Sequence, residues 1–174
     1  MSISVQQYSL ATFETQLNAF SAILDKAAAY AETAKFDSAV YATLRIRPDM
    51  LPFTRQIQIF CDTAKNGAAR LAGVEAPKFE DNEATLADLK ARIAKTLDFL
   101  SKVDRAALEA GAEREIVFPV GPAKAKMIGR DYLAHFLLPN FFFHVTTAYD
   151  LLRYAGVPLG KRDYLGAVPG LQFV

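Results

Sequence analysis

The first long segment of the chain, residues 4–34, contains neither glycine nor proline. Its apolar side chains recur with alternating steps of three and four residues, at Leu10, Phe13, Leu17, Phe20, Leu24, Ala27 and Ala31. This spacing draws a single apolar stripe along a helix, and it is typical of long helices that pack nearly parallel to one another. The segment is therefore predicted to be one long helix of a bundle.

Three further segments carry the same helical periodicity. The second helix is predicted from Pro52 to Leu71, because proline is tolerated in a first turn, and Gly73 ends it. Thr85 is predicted to cap a third helix, and a fourth is predicted over residues 130–154. Four long amphipathic helices favour an all-α fold, a four-helix bundle, over a sandwich or a βαβ sheet.

The segments between these helices are predicted to be less regular. Residues 35–50 form a connection that holds a short extended piece at residues 41–46. Residues 114–120 are predicted to be a short β-like arm lying against the bundle. The tail, residues 159–174, is rich in glycine and proline, so we expect it to be irregular and to cover one end of the bundle. The whole chain, residues 1–174, is predicted to be a single domain.

The charge and hydropathy of the chain argue against several classes of partner. It has 20 basic and 19 acidic residues, for a formal net charge of +1, whereas a nucleic-acid-binding protein normally presents a basic face. The longest apolar run, residues 136–145, is interrupted and too short to cross a bilayer. Residues 1–10 lack the basic and apolar regions of a signal peptide. We therefore expect a cytoplasmic protein with neither a nucleic acid nor a membrane as its partner.

Both histidines of the sequence fall in the fourth predicted helix. His144 lies on the apolar stripe of that helix, so its ring is expected to point into the bundle. Asn140 is one turn earlier on the same face. Pro139 is expected to kink the helix and to free the backbone carbonyl of His135. We call His144, Asn140 and this free carbonyl the polar focus. Because buried polar groups need hydrogen-bond partners, other side chains must bond to them.

Two interpretations of the polar focus stay open. In the first, His144 and Asn140 belong to a satisfied core network with Gln56, Gln58 or Asp62 of the second helix. In the second, the same residues line a pocket between the second and fourth helices that holds a metal or a small ligand. An imidazole with a carboxylate nearby suits either a divalent metal or general-base chemistry.

Other residues of these helices point to structural roles. Cys61 is expected on or beside the buried face of the second helix, as an unreactive thiol. His135 is about 180° from His144 around the helix, so we expect it at the surface or at an interface. Phe141, Phe142 and Phe143 are consecutive, so at least one must face outward or into another chain. A dimer interface would cover such a ring, and the tail or a loop would cover it equally well.

Three blocks of the sequence carry a family resemblance: PDMLPFTRQIQIFCDTAK, LPNFFFHVTTAYDLLR and GVPLGKRDYLG. Together they resemble the DinB/YfiT-like superfamily, and more particularly an uncharacterised bacterial branch of it, a domain of unknown function. The blocks cover the second helix, the fourth helix and the tail, and the resemblance in length and order extends over nearly the whole chain. It implies an up-down-down-up four-helix bundle that is often a homodimer.

The resemblance also implies where a metal would lie. Metal-binding relatives use three histidines, one from the second helix and a His-x-x-x-His pair on the last helix. Only His144 matches this triad. Asn140 stands at the first position of the pair, and the second helix offers Gln56, Gln58, Asp62 or Thr63 instead of histidine. Amides are poor ligands for zinc or nickel, so we expect the remnant of a metal site and no tightly bound metal.

Three functional hypotheses follow from these observations. The first is a domain without a tight metal site, whose interhelical pocket, lined by Asn140, His144 and residues of the second helix, binds a small molecule. The second is a metal- or thiol-dependent transferase that uses His144 as base or ligand, with Asp62 orienting it. The third is a structural or stress-related homodimer with no ligand. The sequence leaves open whether the chain is an enzyme.

Overall fold

The N-terminal apolar stripe forms helix α1, Thr12–Thr33, and a π-helical turn at Gln7–Ala11 leads into it. The computed structural model describes residues 4–172, so the first three residues of the chain and the last two of the predicted tail lie outside it. Phe13, Leu17 and Phe20 are completely buried, which confirms that the stripe faces the core.

The second and third long helices are α2, Phe53–Ala72, and α3, Leu86–Ser101. Gly73 ends α2 in the left-handed conformation, with φ at 73°, where glycine is favoured. At the start of α3, the Thr85 hydroxyl accepts a hydrogen bond from the Asp88 N–H over 3.1 Å, and the Asp88 carboxylate accepts one from the Thr85 N–H over 2.9 Å. This reciprocal pair is a capping box, and it confirms the predicted start of the third helix.

The fourth predicted helix is interrupted in the structure. Gly129–Tyr132 forms a short helix, α5, Leu133–Leu137 forms a π-helical turn, and Leu138–Tyr154 forms the long helix α6. Pro139 lies in the first turn of α6 and has no N–H to donate to the carbonyl of His135. The π turn thus lies just before the proline, in the region where the sequence predicts a distortion.

The four long helices enclose one core. Helices α2 and α1 each pack against both α3 and α6, so the four surround a common centre. There the ring of Phe60 on α2 meets Phe20 of α1 and Phe141 of α6, with ring centroids 5.1 Å and 6.1 Å away. Phe141 also meets Phe13 of α1 at 4.8 Å. These edge-to-face contacts join three of the four helices.

The predicted arm is one strand of a β-hairpin. Strand β1, Glu115–Val120, pairs antiparallel with β2, Ala123–Ile128. The ring of Phe118 on β1 lies 4.7 Å from Tyr132 and 4.6 Å from Phe136, between centroids, which places the hairpin against α5 and the π turn. The arm is confirmed, whereas its partner strand β2 was not predicted.

Two connections differ from the prediction. The extended piece predicted at residues 41–46 is wrong, because Ser38–Thr43 forms a 3-10 helix that the side chain of Asp37 caps. Arg105–Ala110 forms a short helix, α4, with Asp104 as its cap, which the sequence did not reveal because so short a segment shows no full helical repeat.

Most of the described tail is irregular, as expected, but Lys161–Leu165 forms a one-turn helix, α7. This helix lies against α1. The side-chain amide of Gln16 donates a hydrogen bond to the carbonyl of Tyr164 over 2.7 Å, and Lys26 pairs with Asp163 at 2.5 Å. The tail therefore covers one side of the bundle.

The architecture is mostly α-helical with a short β arm, in agreement with the predicted fold class. Among residues 4–172, no helix combines the length and the apolar character needed to cross a membrane.

Candidate functional site

The polar groups predicted to meet between the second and fourth helices do so in two separate pairs. Nδ1 of His144 lies 2.7 Å from Oε1 of Gln56, and the side-chain amide of Asn140 donates a hydrogen bond to the Thr63 hydroxyl over 3.0 Å. Because the later residue of α6 meets the earlier residue of α2, the two helices run antiparallel. This is the direction that an up-down-down-up bundle requires for its second and fourth helices.

The hydrogen bonds of Gln56 indicate which ring nitrogen of His144 carries the proton. The amide nitrogen of Gln56 donates to the carbonyl of Leu51 over 2.9 Å, which leaves its Oε1 as the acceptor facing the histidine. The network therefore assigns the ring proton of His144 to Nδ1. Burial lowers the pKa of His144 to about 4, so the ring is neutral at neutral pH. His144 is 8% exposed, and its place facing the bundle agrees with its position on the apolar stripe.

Gln58 and Asp62 belong to a different polar group, on the side of α2 that faces α3. At its centre is the guanidinium of Arg92, which is 1% exposed and lies 2.8 Å from Glu83 and 3.0 Å from Asp62. The side-chain amide of Gln58 donates to Glu83 over 2.7 Å. Lys65, Glu83 and Arg92 are largely buried and the side chains of Asp62 and Asp81 are partly exposed; we call these five residues the buried ion cluster. Of the five side chains predicted to share one pocket, Gln58 and Asp62 therefore bond to groups other than His144 and Asn140.

The sequence did not single out Arg92, Lys65 or Phe79 of this region. Lys65 is 3% exposed, pairs with Asp62 at 3.0 Å and lies 4.0 Å above the centre of the Phe79 ring. Arg92 stands directly before Ile93 on the apolar stripe of α3, and a charged residue at the edge of such a stripe is the signal that could have found it.

Larger pockets, of about 280 to 590 Å³, lie elsewhere on the described residues, but two of the predicted site residues line a cavity of about 220 Å³. We call it the α2–α6 pocket. It lies between α2, the start of α6 and the hairpin, and it is lined by Ile59, Asp62, Thr63, Asn66, Arg70, Pro119, Tyr132, Phe136, Leu137 and Asn140. It contains Asn140 and Asp62 of the predicted set, and His144, Gln56 and Gln58 lie outside its lining.

The two charged side chains of the α2–α6 pocket differ in their surroundings. Asp62 lies 3.0 Å from both Lys65 and Arg92, so two cations offset its charge. Arg70 donates a hydrogen bond to the hydroxyl of Tyr132 over 3.1 Å. Burial raises the pKa of Tyr132, against the opposing effect of Arg70, so the phenol stays neutral and does not offset the guanidinium charge.

The remaining residues that the sequence analysis discussed lie apart from both pairs. Cys61 is completely buried, and burial raises the pKa of its thiol to about 12. His135 is exposed, as expected. Of the three consecutive phenylalanines, Phe141 is buried and Phe143 is 57% exposed, so one ring does face outward.

The residues at which the resemblance implies a metal site do not fit a transition metal. Within residues 4–172, no three His, Cys, Asp or Glu side chains converge in an arrangement that could hold a metal ion. The amides of Gln56 and Asn140 are each engaged in a hydrogen bond, and amides are poor ligands for zinc or nickel.

Comparison with known proteins finds a matching family and similar solved structures. Residues 5–165 match the sequence pattern of the family described as a domain of unknown function, DUF1993. The chain is also similar to the crystal structure of a DinB family member protein from Shewanella denitrificans, with a TM-score of 0.88 and 40% sequence identity over 95% of this chain and 94% of that one. No curated protein sequence matches significantly.

Proposed function

This chain belongs to the DUF1993 family of DinB-like domains, and we propose that it binds a small organic molecule in the α2–α6 pocket without the help of a tightly held metal ion. The family assignment agrees with the resemblance seen in the sequence. The ligand and the pocket are the proposal, and the following observations support it.

The observation that carries the proposal is the composition of the pocket wall. Asn140, Thr63 and Asn66 present amide and hydroxyl groups from two helices, and Phe136 and Leu137 present apolar surface between them. A concave apolar site with a few convergent polar groups is the usual form of a small-molecule site. Because the cavity of about 220 Å³ is smaller than a drug-sized pocket, we expect a ligand the size of a small metabolite.

The metal-free part of the proposal rests on the donor set. His144 uses Nδ1 for the hydrogen bond to Gln56, so only Nε2 of this ring is left to bind a metal. A single imidazole cannot hold zinc or nickel tightly, because stable sites combine three or four strong ligands. Asp62, which the transferase hypothesis places next to His144, pairs with Lys65 and Arg92 instead.

Two measurements test the proposal. Elemental analysis of the purified protein should find zinc and nickel well below one equivalent. A library of small metabolites, screened by amide chemical shifts, should yield ligands that perturb Asn66 and Asn140. Asn140→Leu should abolish their binding because it fills the pocket and removes an amide, whereas Asn18→Leu on exposed α1 surface serves as the matched control.

The outcomes separate the two parts of the proposal. One equivalent of metal that is lost in His144→Ala would overturn the metal-free part and revive the transferase hypothesis. Ligands that bind Asn140→Leu as well as the unchanged protein would place the binding site elsewhere. A screen without any ligand that perturbs the pocket would overturn the binding proposal.

A homodimer is the second candidate, and the exposure of Phe143 favours it. This ring is 57% exposed on α6, and large exposed apolar side chains are enriched at interfaces. If Phe143 lies in a dimer interface, Phe143→Ser should weaken association measured by light scattering over a dilution series. Tyr154→Ser is the matched control, since Tyr154 is 85% exposed at the end of the same helix. A monomer at every concentration would exclude this candidate.

A further inference from the structure

The wall of the α2–α6 pocket also indicates the chemical class of its ligand. Resting on the proposed function, we infer that the pocket binds a small monocarboxylate, whose carboxylate group pairs with Arg70 and whose apolar body lies against Phe136. The argument uses the charge balance of the pocket, the hydrogen bonds of Arg70 and the apolar side of the cavity.

Arg70 is the charge in the pocket that no carboxylate offsets. Among residues 4–172, no Asp or Glu side chain lies within ion-pair distance of its guanidinium. Arg70 lies in the last turn of α2, where the helix dipole favours a cation, but the dipole supplies only about half an elementary charge. The guanidinium is therefore available to an anionic ligand.

The acidic residue of the same pocket does not cancel this charge. Asp62 is eight residues before Arg70 on α2, about 12 Å away along the helix axis. Its carboxylate is already paired with Lys65 and Arg92, each at 3.0 Å. The net charge at the Arg70 end of the pocket is thus positive.

A hydrogen bond to Tyr132 orients the guanidinium of Arg70 so that it can bind a planar anion. The phenol is completely buried, and its oxygen accepts a hydrogen bond from Nη1 of Arg70 over 3.1 Å. This contact fixes one side of the guanidinium fork and leaves Nη2 and Nε as donors. A planar carboxylate can accept two parallel hydrogen bonds from such a fork, which gives both strength and orientation.

The apolar side of the pocket indicates that the part of the ligand beyond its carboxylate is apolar. Phe136 is half-buried, stacks its ring on Tyr132 with centroids 5.9 Å apart, and lines the cavity together with Leu137 and Pro119. An aromatic or short aliphatic body can contact this surface while its carboxylate reaches Arg70. Asn66 and Asn140 add amide groups on the same wall.

The test compares acids with uncharged molecules of the same shape. Benzoate and benzamide, and hexanoate and hexanamide, differ in charge but hardly in size, so their titrations isolate the carboxylate. We expect each acid to bind at least about tenfold more tightly than its amide, in line with a charge-assisted hydrogen bond. The amide signals of Asn66 and Asn140 and the Nε signal of Arg70 report binding.

Two substitutions assign the effect to Arg70. Arg70→Gln should remove the preference for the acids while leaving the weaker binding of the amides unchanged. Arg70→Lys keeps the charge but loses the fork, so it should retain part of the preference. Arg105→Gln on exposed α4 surface is the matched control and should change nothing. A dispersed spectrum confirms that each variant is folded.

The outcomes distinguish failure of this inference from failure of the proposed function. If acid and amide bind equally, or if Arg70→Gln leaves the preference intact, the carboxylate inference is overturned and the pocket proposal stands. If none of these probes binds while other metabolites occupy the pocket, the inference is again overturned alone. If nothing occupies the pocket, both fail together.

Discussion

Inside the bundle, the ring of His144 on α6 donates a hydrogen bond from Nδ1 to Oε1 of Gln56 on α2, over 2.7 Å. Gln56 is held in turn by the carbonyl of Leu51, which precedes α2. The pair is almost completely buried, and burial lowers the pKa of His144 to about 4. The neutral histidine therefore contributes a pH-dependent part of the stability of the fold.

The first prediction is that this stability decreases in mild acid. As the pH falls below about 6.5, the unfolded state takes up a proton on His144 and the folded state does not, until the pH reaches about 4. Since the folded-state pKa is the lower one, the contribution is fully present above pH 6.5 and is lost on acidification. We expect the free energy of unfolding to drop by roughly 2 kcal/mol between pH 7.5 and pH 5.

Urea denaturation across this pH range measures the effect. His144→Gln should remove the pH dependence in this window, and it should also lower stability at pH 7.5 by about 1–3 kcal/mol through the lost buried partner of Gln56. His135→Gln is the matched control, because His135 is exposed and should leave the pH dependence in place. An unchanged pH profile in His144→Gln would contradict the assignment.

The inward direction of His144 and Asn140 was predictable, but their partners were not. Both lie on the apolar stripe of one helix, and a stripe must face the core. Gln56 and Gln58, however, are about 200° apart around α2, so only one of them could face α6. Periodicity within one helix does not say which side meets which neighbour, and the choice between the two glutamines depended on the packing of α2 between α3 and α6.

The second strand of the hairpin was not predictable for a different reason. In β2, the exposed lysines Lys124 and Lys126 alternate with the half-buried Ala125 and Met127, which is the period of a strand with one covered face. The segment has so few apolar residues that this alternation alone does not predict a strand. The buried ion cluster was equally hidden, because the loop that supplies Asp81 and Glu83 has no periodic pattern.

The second prediction concerns the close contact of α2 with the end of the π turn. A Cβ atom added to Gly67 would lie 3.0 Å from Cγ of Leu137 and still closer to both of its methyl groups. Gly67→Ala should therefore destabilise the protein by about 1–3 kcal/mol, although alanine favours a helix by about 1 kcal/mol over glycine.

A double-mutant cycle isolates this contact. In a Leu137→Ala background the leucine side chain that would clash with a Cβ at position 67 is absent. The same Gly67→Ala change should then be neutral or stabilising when unfolding is followed in urea. Equal effects in both backgrounds would show that Leu137 does not restrict position 67. Leu137→Ala alone should be destabilising by about 2–5 kcal/mol, because it opens a cavity.

The third prediction concerns the buried ion cluster. Removing Arg92 leaves Glu83, whose side chain is 9% exposed, without the cation 2.8 Å away. Arg92→Met should therefore lower the free energy of unfolding by about 3–5 kcal/mol, the usual effect of stranding a buried charge. It should also release the loop 74–84, which limited proteolysis would detect. Lys95→Met, on the exposed side of the same helix, should have little effect on either measurement.

The fourth prediction concerns the single cysteine and decides whether thiol chemistry is available to the folded protein. Cys61 is completely buried, and although Thr96 and Arg92 act in the opposite direction, burial raises the pKa of its thiol to about 12. Because the thiolate is the reactive form, a disulfide reagent at pH 8 should modify the native protein at least about a thousandfold more slowly than the protein unfolded in guanidinium. Cys61→Ala provides the baseline in both conditions. Rapid modification of the native protein would mean that the thiol is accessible and ionised, and it would support a thiol-dependent transferase over a binding domain.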